Sequence, residues 1–194
     1  VKIEGAYHGS YDFAEVSLDS SPANWGDMPA STPYARGTPR GVLDDVIAVP
    51  FNDIEVLRAV FAAHGHAIAG VLIDPMPNRA GLIPARKDYL DAMVAIAHDA
   101  GALVIFDEVI SFRLGYSGAQ GLWDIRPDLT ALGKIIGGGF PVGAVGGRAD
   151  IMAVFDPTQG KPALPHGGTF TANPVTMRAG VAAMRALTED SFAR

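Results

Sequence analysis

The sequence predicts an α/β fold built on a mainly parallel sheet. Short runs that are apolar throughout alternate along the chain with amphipathic helical patterns. This alternation is typical of buried parallel strands joined by crossover helices. The 194 residues are enough for one domain with a sizeable core. Hydrophobic residues make up 48% of the chain and charged residues 19%, which is a globular rather than a disordered composition.

The first half of the chain supplies a strand, a long loop, a helix start and a second strand. Residues 1–18 begin with a short strand-like run, and residues 19–43 are rich in Ser, Pro, Gly and Asn without apolar periodicity. A loop of that length is usually functional or mobile. The "NDIE" of residues 52–55 predicts a helix start, with Asn52 as the N-cap and Glu55 reaching back to it. Residues 68–74, "IAGVLID", predict a buried strand.

The second half continues the alternation. Residues 88–101 predict a helix that ends at Gly101 and has one apolar face, made of Leu90, Met93, Val94 and Ala97. Three further strands are predicted, at residues 102–107, 128–133 and 142–147. Residues 173–187 predict a helix with Asn173 as its cap and Pro174 at its first position. Its apolar stripe, which we expect to pack in the core, consists of Met177, Val181, Met184 and Leu187.

Composition excludes several classes of function. The net charge is −6 and no Lys/Arg cluster occurs, which argues against nucleic acid or an anionic membrane as a partner. The absence of cysteine excludes disulfides, zinc sites with Cys ligands and thiol nucleophiles. No apolar run approaches the length of a membrane span, and no basic segment leads into an apolar one. We expect a soluble, cytoplasmic protein whose site holds no metal.

Two adjacent carboxylates follow the strand-like run "ALVIF" at residues 102–106. In parallel sheets ligands bind beyond the carboxyl ends of strands, which is where Asp107 is expected. Three roles are open: a cap or solvated loop acid, a magnesium ligand beside a nucleotide, or a partner for a buried cation. The second role needs a phosphate loop of the form G-x-x-x-x-G-K-S/T. Neither Gly133-Lys134 nor Gly160-Lys161 fits that form, so the nucleotide hypothesis weakens, although a loop further upstream stays open.

Lys134 is the candidate for a buried cation. It follows a strand-like run and precedes three glycines at residues 137–139. A lysine in apolar surroundings loses its proton more easily, and the neutral amine is a nucleophile suited to a Schiff base. The glycines allow the backbone to come close to a flat partner. A surface lysine beside a flexible glycine turn stays open as the alternative.

These motifs together resemble a known family. "FDEV", followed 27 positions after its Asp by the lysine of "LGKIIGGGFPVGAVGGR", is similar to the class III (subgroup II) pyridoxal-phosphate aminotransferases, in the glutamate-1-semialdehyde aminomutase-like branch. Five further motifs fall in that family's order: "EGAYHG" at 4–9, "PFND" at 50–53, "GAQG" at 118–121, "RPDLTALGK" at 126–134 and "GGTFTANP" at 167–174. The resemblance covers nearly the whole chain.

The resemblance implies a pyridoxal-phosphate transferase of fold type I. Residues 1–194 would be the central part of its large, cofactor-binding domain, since the chain begins without Met and ends just after a helical pattern. The family's phosphate cradle and its C-terminal small domain would lie outside this chain.

The resemblance also implies roles for individual residues. Lys134 would form a Schiff base with pyridoxal 5'-phosphate and, once displaced, move the proton as a general base. Asp107 would bond the pyridine nitrogen and keep it protonated. Val109 would pack against one face of the ring and Tyr7 would stack on the other, with Gly9 permitting the approach.

The remaining implied roles concern the rim of the site. His8 would lie close by, in a structural or a chemical role, and Glu108 would be structural. Gly168 and Thr169 match the position that reaches the cofactor phosphate of the neighbouring subunit, which implies a homodimer with shared active sites.

Arg79 and the serine before Phe112 depart from the family's commoner pattern, and both fall beside the expected substrate pocket. Arg79 would bind a substrate carboxylate or form a surface salt bridge. These departures favour an aminotransferase that moves an amino group between a donor and a 2-oxo acid. The donor would be an amine or an amino acid, with β-amino acids among the candidates. Glutamate-1-semialdehyde 2,1-aminomutase, which shifts the amino group within one molecule, is the alternative. A further alternative is an inactive fragment.

Overall fold

The computed structural model describes residues 1–21 and 31–192. The chain forms two compact units, Val1–Asp107 and Glu108–Arg194. Residues 22–30 of the predicted long loop lie outside the described residues. Residues 31–39 contain neither helix nor strand, as expected, but a short helix begins at Arg40, inside the range predicted as loop.

Four parallel strands organise the described part of the first unit. Their spatial order is β2-β1-β3-β4, and their bounds are β1 Lys2–Ile3, β2 Ala48–Val49, β3 Gly70–Ile73 and β4 Leu103–Asp107. The longest pairing places Gly70 opposite Leu103 and Ile73 opposite Phe106. Because all neighbouring strands run parallel, their carboxyl ends meet at one edge of the sheet. The prediction of an α/β fold with a mainly parallel sheet is confirmed.

The helices of the first unit bury their apolar faces. Their bounds are α1 Asp12–Glu15, α2 Arg40–Asp44, α3 Ile54–His64 and α4 Lys87–Asp99, with 3-10 turns at Gly65–Ala67 and Asn78–Ala80. On α4 the predicted face is confirmed at Leu90, Met93 and Ala97, which are fully buried. Val94 is only half-buried, whereas Tyr89, which the prediction left out, is fully buried, with its ring edge-on to Phe51.

The predicted start of α3 is wrong by one residue. Asp53, not Asn52, is the N-cap, and its side chain accepts a 3.0 Å hydrogen bond from the Val56 N–H. Asn52 is drawn away because its side-chain oxygen accepts from the Arg86 N–H at 2.8 Å. Its backbone lies in the left-handed region, with φ at 62°, which asparagine tolerates better than most residues.

The second unit is built around an antiparallel pair. The strands are β5 Leu129–Gly133 and β6 Gly143–Gly147, so both predicted strands exist. β6, however, runs antiparallel to β5, which the expectation of a mainly parallel sheet did not anticipate. The described helices are α5 Gly118–Leu122, α6 Ala149–Met152, α7 Pro174–Ala186 and α8 Glu189–Phe192, with 3-10 turns at Ser111–Leu114, Lys134–Gly137 and Ala153–Phe155.

Helix α7 begins as predicted but buries a different face. The Asn173 side chain accepts from the N–H groups of Val175 and Thr176, and Pro174 opens the helix. The expected core stripe is wrong: Met177 and Val181 are 42% and 49% exposed. The helix buries Thr176 and Gly180 instead. Within the described ranges, none of the helices has both the length and the apolarity to cross a membrane.

Candidate active site

The site of the first unit lies at the carboxyl end of β4. Asp107 ends this strand, one position beyond the pairing of Ile73 with Phe106, and only 7% of it is exposed. β1 runs parallel to β3, so the loop that leaves β1 emerges at the same edge of the sheet. That loop carries Tyr7, His8 and Gly9.

His8 holds the Asp107 carboxylate. The Nδ1 atom of His8 lies 2.8 Å from Oδ2 of Asp107, and the two side chains are 2% and 10% exposed. Because an ionised carboxylate only accepts hydrogen bonds, this contact places a proton on Nδ1. The other ring nitrogen, Nε2, is buried without a hydrogen-bond partner among residues 1–21 and 31–192. The contact fixes the orientation of Asp107 in a place from which water is largely excluded.

Tyr7 and Gly9 leave room for a flat ligand beside this carboxylate. Tyr7 is 44% exposed, so its ring is available for stacking. Gly9 has φ at 95°, a conformation that side chains rarely adopt, and a Cβ built there would meet nothing within 4 Å. A buried carboxylate, an orphaned imidazole nitrogen and an open glycine therefore fit a planar group with a protonated ring nitrogen.

Glu108 anchors the segment that follows β4. It is fully buried, and its carboxylate accepts hydrogen bonds from the Ala119 N–H at 2.6 Å, the Gln120 N–H at 3.0 Å and the Gln120 side chain at 2.9 Å. Gly118, with φ at 69°, admits this carboxylate, because a Cβ there would overlap Oε2 of Glu108. This arrangement agrees with the structural role expected for Glu108.

Lys134 directly follows β5 and begins the 3-10 turn Lys134–Gly137. Its φ of 46° lies in the left-handed region, which costs a residue with a Cβ about 1–3 kcal/mol. The expected burial of Lys134 is wrong for this chain, because the residue is exposed. Val109 lies beside the same turn: its Cγ1 is 3.4 Å from the position that a Cβ on Gly133 would occupy.

Glycines at the turn of Lys134 and on helix α7 allow the two backbones to pack closely. A Cβ on Gly138 would overlap the backbone of Ala179, and a Cβ on Gly180 would overlap the Ile136 carbonyl oxygen. The close partner of this backbone is therefore helix α7, and the helix positions the turn that carries Lys134. Gly139, in contrast, faces open space.

Lys134 lines a cavity of about 640 Å³ in the second unit. Most of its other walls are apolar, and the lining residues are Val109, Ile110, Arg113, Lys134, Ile135, Gly139, Phe140 and Pro141. A cavity with apolar walls and a few polar groups is the usual form of a small-molecule site. The structure thus places Val109 and Lys134 on the walls of one cavity.

Comparison with known proteins identifies the family. The family model described as "Aminotransferase class-III" matches residues 1–194. The chain belongs to the class III aminotransferases.

Individual relatives support this assignment. The chain is 45% identical, over 98% of its length, to glutamate-1-semialdehyde 2,1-aminomutase from Aeropyrum pernix, but covers 43% of that protein. It superimposes with a TM-score of 0.95 on a crystal structure of an omega-transaminase from Sphaerobacter thermophilus, at 56% identity, covering all of this chain and 44% of that one. A β-phenylalanine aminotransferase from Variovorax paradoxus gives a TM-score of 0.81 at 40% identity, covering 99% of this chain and 40% of that one. The chain spans less than half the length of these relatives. The similarity to these structures confirms the predicted fold type I.

The two residues expected to reach the cofactor of a neighbouring subunit lie in an exposed segment before α7. Gly168 and Thr169 are both exposed and belong to no helix or strand. The Thr171 N–H donates to the Gly168 carbonyl at 3.1 Å and closes a turn there. Phe170, the next residue, is 82% exposed. The proposed contact of Thr169 with a neighbouring subunit stays a prediction.

Arg79 forms a surface pair. Its Nη2 atom donates to Oδ1 of Asp19 at 2.9 Å, and both side chains are largely exposed. This pairing matches the surface salt bridge that the sequence left open, and binding of a substrate carboxylate by Arg79 stays a prediction.

Sequence reasoning missed Arg113. Arg113 lies in the 3-10 turn Ser111–Leu114 and lines the same cavity as Val109 and Lys134, and no local pattern marked it.

Proposed function

We propose that the protein containing this chain is a pyridoxal-phosphate-dependent aminotransferase that moves an amino group between an amino acid or amine and a 2-oxo acid. One observation carries the proposal: the Asp107 carboxylate is buried at a strand end and oriented by His8 at 2.8 Å. A carboxylate has several acceptor sites, so Asp107 can accept a hydrogen bond from a ligand in addition to the contact with His8. A protonated pyridine nitrogen is the donor that class III chemistry would supply.

The chain offers residues to hold the cofactor's ring. Pyridoxal phosphate, when bound, acts as an electron sink for the carbanion that forms when an amino acid loses its α-proton. Asp107 would accept a hydrogen bond from the ring nitrogen and favour its protonated form, and His8 would keep Asp107 in position. Tyr7 and Val109 would pack against the two ring faces, and Gly9 would leave room beside them.

Lys134 would bond the cofactor covalently in the resting enzyme. The same amine, when free, would take up and return the substrate's proton as general base and general acid. The left-handed backbone of Lys134 and the packing of α7 against its turn would set the direction in which the side chain leaves the backbone.

The working unit in this proposal is a homodimer. Thr169, with Gly168, would reach the phosphate of the cofactor bound to the neighbouring subunit. The exposure of this segment and of Phe170 next to it leaves them available for such a contact. A cytoplasmic location stays a prediction from composition.

Transamination between two molecules is favoured over the aminomutase reaction. The relative with 56% identity is an omega-transaminase, whereas the aminomutase relative shares 45%. A β-amino acid is a candidate donor, since another relative acts on β-phenylalanine. The aminomutase remains the second candidate because its resemblance extends over 98% of the chain. An inactive chain is the third.

Borohydride reduction followed by peptide mapping tests the cofactor and the nucleophile together. We expect a pyridoxyl group on Lys134 in the complete gene product incubated with pyridoxal phosphate. Lys134→Ala should abolish the label, and the matched variant Lys161→Ala should retain it. Absence of the pyridoxyl group from Lys134 in the folded, complete protein would refute the aminotransferase proposal.

A single-substrate experiment separates the candidate reactions. A transaminase given only an amino donor forms about one equivalent of oxo product per site and then stops until a 2-oxo acid is added. An aminomutase converts its one substrate to the isomer with many turnovers and no acceptor. Failure of the labelled protein to do either would favour the inactive chain.

A further inference from the structure

We propose that Arg113 binds the carboxylate of an apolar amino or 2-oxo acid in the cavity lined by Lys134. This inference rests on the proposed function and adds the substrate class and a residue that recognises it.

The chemistry of the cavity wall points to an anion with an apolar body. Two of the lining residues, Arg113 and Lys134, carry positive charge, and no lining residue is acidic. Val109, Ile110, Ile135, Phe140 and Pro141 supply the apolar surface. Apolar walls with one or two charged groups fix the orientation of a ligand through its polar end and select its body by size and apolarity.

Arg113 is available to a ligand. Within residues 1–21 and 31–192 its guanidinium has no hydrogen-bond or ion-pair partner, whereas Arg79 and Arg148 are each paired with aspartates. Arg113 lies in the 3-10 turn Ser111–Leu114, which is tied to the strand end by the Phe112 N–H donating to the Glu108 carbonyl at 3.0 Å. The turn therefore holds the start of the Arg113 side chain at the cavity.

A carboxylate suits Arg113 better than it suits Lys134. The guanidinium presents a planar pair of N–H groups that matches two carboxylate oxygens, and its charge persists at any physiological pH. Under the proposed function Lys134 is committed to the cofactor and to proton transfer. Arg113 is then the cation among the lining residues that remains for the substrate.

The other source of an anion would be the cofactor's phosphate. The apolar walls favour the substrate, because Val109, Ile110 and Phe140 contribute nothing to a phosphate group but would contact a hydrocarbon side chain. The experiment below distinguishes the two sources by measuring cofactor content alongside ligand affinity.

Binding of a matched pair of ligands tests the inference without turnover. The probes are 3-phenylpropionate, which has no amino group, and its neutral analogue 3-phenylpropanamide, titrated by calorimetry into the complete protein loaded with pyridoxal phosphate. We expect Arg113→Gln to weaken the carboxylate roughly 10- to 100-fold, since a charge-assisted pair is lost, and to leave the amide unchanged. Arg113→Lys should recover part of the loss. Arg40→Gln, at an exposed arginine paired with Asp44, should change neither affinity.

Three results would overturn the inference. The first is an equal affinity of the parent and Arg113→Gln for 3-phenylpropionate, and the second is a parallel loss for both ligands. The third is loss of bound cofactor from Arg113→Gln with retention in Arg40→Gln, because that pattern assigns Arg113 to the phosphate.

Steady-state kinetics give a second measurement and separate this inference from the proposed function. Arg113→Gln should raise KM for an apolar 2-oxo acid, with KM for a donor amine that lacks a carboxylate unchanged. A rise with Arg79→Gln but not with Arg113→Gln would overturn the inference. A parent protein unlabelled at Lys134 would instead refute the proposed function, and the preference for 3-phenylpropionate over its amide could still be measured on that protein.

Discussion

The two compact units differ in where their apolar side chains lie. Among the hydrophobic residues that are buried in the described chain, all but Ala119 and Ile125 belong to Val1–Asp107. Both units expose large apolar side chains, but among the described residues more of them lie in the second, including Phe170 at 82% and Leu122 at 62%. Large apolar surfaces left exposed usually mark places where another molecule or segment binds.

The two units are therefore stabilised in different ways. The first unit has its own core, formed by strands β1 to β4 and the buried faces of α3 and α4, and it holds Asp107 in a fixed place. The second unit carries the cavity with Lys134, and its glycine-rich backbone packs against α7 with little apolar burial. We therefore expect truncation of apolar side chains to lower the unfolding free energy strongly in the core of the first unit. The same truncation on α7 of the second unit should lower it little.

Leu90→Ala and Met177→Ala test this contrast and carry the largest expected effect. Leu90 is fully buried on α4, and its truncation should cost about 2–5 kcal/mol of unfolding free energy, through lost burial and a new cavity. Met177 on α7 is 42% exposed, so the matched truncation should cost less than about 1 kcal/mol. Urea unfolding of the 194-residue chain measures both. Equal losses would show that α7 is covered in solution.

Stability at alkaline pH tests the core of the first unit. Lys2 is 2% exposed, and its ammonium donates to the carbonyls of Val16 at 2.7 Å and Ile3 at 3.2 Å. Burial lowers the pKa of Lys2 from 10.5 to about 8, although the charge of Glu4 partly opposes the shift. Between these two values the unfolded chain binds more protons than the folded one, so stability should rise as the pH increases from 8 towards 10.5.

The expected gain is about 3 kcal/mol at most, from the size of the pKa shift. Lys2→Met should remove the rise, and the exposed control Lys87→Met should keep it. Unfolding by urea at several pH values between 8 and 10.5 measures this slope. A slope that survives in Lys2→Met would assign it to another group.

The sequence predicted those parts of the molecule that local patterns determine. Continuous apolar runs identified β3, β4 and β5, and the Asn173-Pro174 pair identified the start of α7. A pattern of apolar residues also predicted that Met177 and Val181 pack in the core, which is wrong, because the two side chains are 42% and 49% exposed. Burial of such a face depends on residues distant along the chain, for which the pattern of the helix carries no signal. The same limit applies to Lys134, whose exposure depends on what lies over the cavity.

The site was predictable where a motif fixed the residue and unpredictable where a distant contact decided its role. Asp107 was identified from its place at a strand end, whereas its hydrogen bond with His8 joins residues 99 positions apart. The N-cap of α3 shifted to Asp53 for a similar reason, because Asn52 binds the Arg86 N–H, 34 positions away. Contacts of that range have no signal in a local pattern.

Gly180→Ala tests the packing of α7 against the turn of Lys134. The added Cβ would overlap the Ile136 carbonyl oxygen, and backbone cannot move aside as a flexible side chain can. We expect a loss of about 1–3 kcal/mol, measured by urea unfolding. Gly146→Ala is the matched control, since a Cβ there meets nothing within 4 Å, and it should be close to neutral. Two equally stable variants would show that α7 does not hold this turn.

Ser111→Ala and Tyr89→Phe compare one orphaned hydroxyl in each unit and carry the smallest expected effect. Ser111 Oγ and Tyr89 Oη are both buried and have no hydrogen-bond partner within the described residues. Burial also raises the pKa of the Tyr89 phenol, in line with an apolar setting. A buried unpaired hydroxyl is destabilising, so each removal should raise the unfolding free energy by about 1 kcal/mol.

Thr130→Val is the control, since its hydroxyl accepts from the Gln120 side chain at 3.3 Å and its removal should not stabilise. A loss of stability in Ser111→Ala together with a gain in Tyr89→Phe would mean that the Ser111 hydroxyl has a hydrogen-bond partner in solution. A surface that covers this part of the second unit would supply such a partner.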